Sequence, residues 1–183
     1  MTQIQAVAVP GIPMLATGDD VAAVISSHLN TVRWPDGYVG MRGDDIVVIS
    51  GKIVAKAQGR WHRLGEVPDG FRTRVGIPDG LGLKEPDDAD SAAGQIRRGL
   101  AARFGGRPGV IISGSGHGRE PGRGVVDIAL GSAGLEVRGP NGDSVIDAIA
   151  ALAGVASMGL DDSPVVVVRG VPDVMTWEDL PGH

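Results

Sequence analysis

The sequence contains no cysteine. Disulfides, thiolate metal sites and cysteine nucleophiles are therefore excluded, and a cytoplasmic location is the default expectation. Aromatic residues are also scarce, at 3% of the chain. A core with so few rings must be filled by Val, Ile, Leu and Ala, and few platforms remain for stacking the bases of a single-stranded nucleic acid. Positive charge is not in excess either. Seventeen Lys and Arg against twenty-two Asp and Glu leave a net charge of −5, which argues against a duplex-binding surface. No apolar run approaches the length of a membrane span, and the N-terminus lacks the basic flank and apolar stretch of a secretory signal. Glycine is abundant, with thirty residues beside twelve prolines. These are dispersed, so turns are many, but there is neither a repeat nor a low-complexity tract. A length of 183 residues suffices for one domain with a substantial core. The expectation is a single domain over residues 1–183, with room for a small lobe around 61–108.

The most informative stretch is Asp45 to Arg60, DIVVISGKIVAKAQGR. Ile46, Val47, Val48 and Ile49 form an uninterrupted aliphatic run, the pattern of a buried strand. Ser50-Gly51 breaks the run, and Lys52 and Lys56 follow four residues apart. If that segment is helical, both ammonium groups lie on one face. A small-residue turn after a strand lets backbone N–H groups approach an anion, and a helix start adds a favourable dipole. Two lysines behind such a turn suit a polyphosphate. Spacing alone is more often that of a plain strand-loop-helix with two solvated lysines.

Other segments supply the rest of an α+β architecture, a mixed β-sheet core with packed helices. Strands are expected near Ile4, Ile46, Val110, Val126 and Val165, and helices near Val21, Ile96 and Ile146. The first strand ends at Pro10-Gly11-Ile12-Pro13-Met14. That stiff, extended loop is either a plain turn or a rigid holder of backbone groups against a ligand. Thr17 is the candidate N-cap of a helix from about Asp19 to Leu29. Trp61 to Gly82 reads as loop, with turn signatures at Pro68-Asp69-Gly70 and Pro78-Asp79-Gly80. A helix from Ala92 to Phe104 buries Ile96, Leu100 and Phe104 and leaves Arg97, Arg98 and Arg103 as a solvated face. After Val110-Ile111-Ile112, the stretch Ser113 to Arg119 is a glycine-rich turn of the kind that cradles phosphate, although it matches neither common phosphate-loop spacing. The tail from Val171 is expected to dock through Met175, Trp177 and Leu180, or to pack on a second subunit. No residue declares itself catalytic.

Five ordered blocks carry a resemblance to the coenzyme F420-0:γ-glutamyl ligase family. Gly11-Ile12-Pro13-Met14 with Gly18-Asp19-Asp20 matches the family's Gly-Ile-Pro-Leu-Ile and Gly-Asp-Asp. Ser50 to Arg60 resembles its Thr-(Gln/Ser)-Lys-(Ile/Val)-Val-Ser-Lys-(Ala/Cys)-Glu-Gly-Arg. Lys84 to Leu100, Asp127 to Gly134 and Val165 to Gly170 follow in register. The resemblance implies a γ-glutamyl ligase-like fold. It also implies amide-bond formation between F420-0 and the α-amino group of L-glutamate, driven by GTP through an acyl phosphate, with Mg or Mn neutralising the phosphates. Nucleotide contacts would then fall on Gly11, Ile12, Pro13, Met14, Gly51, Lys52, Lys56, Ser115 and Arg119. Of the implied metal positions, Asp79 is the nearest match, either a ligand or simply a turn residue, and Asp127, Asp161 and Asp162 are acids that could substitute. Gly114 stands where the family has a metal-binding Asp, Val125-Val126 where it has Gln-Thr, and Leu160 where some members have Glu. The implied partners are a nucleotide, a small-molecule substrate and a second copy in a homodimer. The alternative is a degenerate member that binds nucleotide or phosphate, or serves as a partner subunit.

Overall fold

The computed structural model describes residues 3–64, 77–115, 124–160 and 163–179. In chain order the elements are β1 (Gln5–Ala8), α1 (Val21–Leu29), β2 (Ile46–Ser50), α2 (Gly51–Ala57), β3 (Trp61–Arg63), β4 (Leu81–Leu83), α3 (Ala89–Phe104), β5 (Gly109–Ser115), β6 (Asp127–Ala133), α4 (Val145–Met158) and β7 (Val165–Arg169). The continuous aliphatic runs of β2, β5 and β7 are buried along almost their whole length. Such runs belong in the middle of a sheet covered on both faces. They lie there: the order is β1-β7-β2-β5-β6. β7 is antiparallel to both β1 and β2, β2 is parallel to β5, and β5 pairs antiparallel with β6 across an irregularity between Ile112 and Ser113. Fold class and all five expected strands agree with the sequence reading.

Alternation along each strand sorts the core into two layers. Val47, Ile49, Val110, Ile112, Val165 and Val167 face α1, α2 and α3, meeting Ile25, Leu29, Ile53, Ile96 and Leu100. Ile46, Val48, Ile111, Val166 and Val168 face α4 through Ile149, Ala150 and Ala153. Each of these Val, Ile and Leu side chains contributes about 1.5–3 kcal/mol on burial. With so few aromatics, both cores consist largely of aliphatic side chains.

Four details differ from the sequence reading. The cap of α1 is Asp20, which accepts from Ala23 N at 3.0 Å. Thr17 lies earlier because Asp19 Oδ2 turns the chain by accepting from Ala16 N at 2.7 Å. Trp61 to Gly82 is not all loop, since β3 and β4 pair as a separate two-stranded sheet with Trp61 opposite Leu83. Strands of three residues are too short to announce themselves by periodicity. Helix α3 begins at Ala89 behind Asp88, whose side chain accepts from Ser91 N.

Arg97 is the fourth correction. It is buried, not solvated. Its Nε donates to Pro108 O at 2.9 Å, its Nη2 to Thr176 O at 3.2 Å, and its Nη1 to Asp179. The tail therefore docks by ion pair and backbone bonding, including Thr176 N to Gly134 O at 2.9 Å. Met175 packs against the α4-side core as expected, whereas Trp177 is 73% exposed. Leu180 lies outside the described residues.

Candidate functional site

Strands β1 and β2 are both antiparallel to β7, and β5 is parallel to β2, so β1, β2 and β5 all run the same way. In open α/β sheets ligands bind beyond the carboxyl ends of the parallel strands, and β2 and β5 are such a parallel pair. At that edge stand Pro10–Met14 after β1, Ser50–Lys52 after β2 and Ser113–Ser115 at the end of β5. Asp127 at the start of β6 is in register with Ser115.

The proline corner folds back onto α2. Gly18 N donates to Ala57 O at 2.8 Å, and Thr17 Oγ1 donates to Lys56 O at 3.3 Å. Trp61 Nε1 in turn donates to Thr17 Oγ1 at 3.3 Å. Lys56 Nζ donates to Met14 Sδ at 2.8 Å. The corner and the lysine segment thus meet on one side of the molecule. Gly11 makes the bend at φ 75°, a left-handed conformation that disfavours a side chain. A Cβ there would sit 3.5 Å from the His28 ring.

The two lysines are not equivalent. Lys52 is exposed, while Lys56 is only 5% exposed. Burial, and then the nearby charge of Lys52, lower the Lys56 pKa from its usual value. Among the described residues Lys56 has no carboxylate partner. A thioether is a weak acceptor for a buried ammonium.

A leucine shapes the other half of the edge. A Cβ on Gly51 would lie 3.0 Å from Leu130 Cδ1 and 3.1 Å from Ser113 O, and one on Gly114 would lie 2.8 Å from Leu130 Cδ1. Leu130 is wedged between the two turns, and both glycines make room for it. No pattern in the sequence signals this contact between segments far apart in the chain. Near the C-terminal end of α2, a polar cleft of about 350 Å³ is lined by Gln58, Arg60, Asp87, Asp88, Ser91 and Gln95.

The structure does not gather every candidate residue. Gly11, Ile12, Pro13, Met14, Gly51, Lys52, Lys56 and Ser115 share the edge. Asp127 also stands at it, but its Oδ2 lies only 3.1 Å from where a Gly154 Cβ would be, on the α4 side. Asp79 sits in the exposed turn before β4, in the separate small sheet. Among the described residues no three His, Asp or Glu side chains come together as a metal-holding group. Arg119, His117, Asp161 and Asp162 lie outside the described residues.

Fold and edge together define an α+β protein whose proline corner and lysine segment meet at the carboxyl edge of its central strands. The sequence profile of "F420-0:Gamma-glutamyl ligase" matches residues 11–74, which include the proline corner and both lysines. The chain is similar to Coenzyme F420:L-glutamate ligase of Archaeoglobus fulgidus, 28% identical over 231 aligned positions, covering 92% of this chain and 88% of that protein. It is also similar to the protein of that name from Methanothermobacter thermautotrophicus, 30% identical over 180 positions, covering 72% of this chain and 69% of the relative. A shorter match, 37% identical over 68 residues, links it to the Coenzyme F420:L-glutamate ligase of Halorubrum lacusprofundi and covers 37% of this chain and 23% of that one. The chain belongs to the F420-0:γ-glutamyl ligase family.

Proposed function

We propose that this protein joins L-glutamate to coenzyme F420-0 through a new amide bond, with GTP as phosphoryl donor. In the reaction, a carboxylate oxygen of F420-0 attacks the γ-phosphorus and GDP departs. The α-amino nitrogen of glutamate then attacks the acyl carbon, phosphate leaves with the bonding electrons, and the amine gives up a proton to solvent. The phosphates lie at the sheet edge, against the backbone of Gly11–Met14 and Gly51, with Lys52 and Lys56 supplying charge. Ser115 extends the same cradle, and Arg119 is proposed as a further nucleotide contact. The observation that carries this reading is the fold-back of the proline corner onto α2, which puts Met14 on Lys56.

Mg or Mn, when bound, neutralises phosphate charge. The described residues do not form a protein-held site for it, so the reading has the ion arrive with the nucleotide, and no step is assigned to it. Asp127, in register with Ser115 at the edge, is the carboxylate proposed to approach it, whereas Asp79 stands away in the small sheet's turn. A cytoplasmic homodimer completes the proposal.

Thermal shift with GTP and GDP, with and without Mn²⁺, tests the nucleotide half. A metal-dependent rise in Tm is the expected result. Incubation with F420-0, glutamate and GTP should then give a product heavier by one glutamyl residue. A second reading, a family member that binds nucleotide without turnover, is favoured by Leu130, which crowds Gly114 at the position of a family metal ligand. Stabilisation by nucleotide without metal dependence, together with no glutamyl product, would select it.

A further inference from the structure

Met14 combines two properties that do not usually go together. It is 60% exposed, on the corner that follows Pro13, yet its sulfur is the hydrogen-bond acceptor of a buried ammonium. An exposed thioether is held by little packing of its own. A buried ammonium bonded to a weak acceptor is under-satisfied, and a phosphoryl or carboxylate oxygen is a better partner by charge and by hydrogen bonding. Neither Lys52, exposed one turn earlier, nor any carboxylate among the described residues relieves it.

We infer that Met14 is a displaceable cap on Lys56, with its thioether occupying the place at the ammonium that an anionic oxygen of the ligand takes. The inference rests on the anion-binding reading of this edge and adds to it a regulating side chain. Met14 is then a positioning residue. It keeps the ammonium directed into the edge and shielded until a polyanion arrives, and it competes with that polyanion.

The test uses the full chain with inorganic tripolyphosphate as probe, titrated calorimetrically. Met14→Ala should bind the probe tighter by roughly 3- to 10-fold, the range of one modest hydrogen bond removed from the competing side. Lys56→Met should weaken binding, and Met14→Ala added to it should change nothing further. A second readout covers the case in which Lys56→Met folds poorly. Under an amine-acetylating reagent read by mass spectrometry, Lys56 of the unaltered protein should label more slowly than Lys52. It should label faster in Met14→Ala and slow again with tripolyphosphate. Unchanged or weaker binding by Met14→Ala, or an equal gain in the Lys56→Met background, overturns the cap while leaving the anion site standing. Absence of tripolyphosphate binding in every variant, with no protection of Lys56, overturns the cap and the anion reading together.

Discussion

Two cations, the half-buried Arg169 and the buried Lys56, stand at opposite edges of the same sheet, and they are treated differently. At the amino-terminal edge of β2, Arg169 meets Asp45, which is 0% exposed, through two bonds of 2.7 Å. The guanidinium also lies 3.7 Å over the Trp34 ring, and Asp45 Oδ2 accepts from Arg42 N. Asp45 holds the Arg169 charge firmly against the desolvation it suffers. At the carboxyl edge Lys56 has a sulfur. One edge is closed by charge pairing and serves the fold. The other holds a charge in reserve and fits a role in binding. Arg97, tied to Pro108, Thr176 and Asp179, adds a second closed cation near the structural edge.

The largest test of this contrast is Asp45→Ala, which removes the buried carboxylate and strands the half-buried guanidinium it holds. A loss of about 3–5 kcal/mol is expected in urea unfolding, and a loss below about 1 kcal/mol would mean that the closed edge is not closed. Arg97→Met should cost about 2–3 kcal/mol, since it leaves buried carbonyl acceptors unpaired. It should also raise hydrogen exchange over residues 174–179, whereas equal exchange would show that the tail docks without it. On the open edge, Lys52→Ala should leave stability within about 0.5 kcal/mol but weaken nucleotide binding by about 1.5–3 kcal/mol, as for a lost charge-assisted contact. An effect within error in calorimetry would make Lys52 ordinary surface.

The smallest effect is in pH. Burial alone would raise the Asp179 carboxyl, but hydrogen bonds from Arg98 and Arg97, with their charges, outweigh it and hold it below the usual range. A carboxyl depressed in the folded state stabilises above its unfolded pKa, near 4, and that stability drains away as pH falls through the folded value. Unfolding free energies measured from pH 7 to pH 3 should therefore decline more steeply for the unaltered protein than for Asp179→Asn. Parallel curves would remove Asp179 from the closed edge.

Much of this was legible from the chain alone. Aliphatic runs such as Ile46–Ile49 and Val165–Val168 announce buried strands because no other element tolerates them so briefly, and Pro10–Met14 announces a stiff corner. The meeting of that corner with Lys56 follows only once β1 and β2 are known to run the same way. Pairs such as Arg169 with Asp45, separated by 124 positions, leave no local trace. Arg97 misled because an arginine on a helix reads as solvent-facing, and its burial depends on carbonyls of a tail whose docking the sequence does not specify. Thr17 looked like a cap by residue type, but Asp20 stands closer to the first helical turn.

Strand β7 lies between β1 and β2. The two earliest strands thus wait for the latest before either has all its neighbours. On a ribosome, β1 and β2 emerge with a gap between them that only residues 165–169 can fill, so the sheet closes only after β7 has been made. Such long-range pairing makes for slow folding, and a nascent chain stalled ahead of Val165 would present two unpaired strand edges to chaperones.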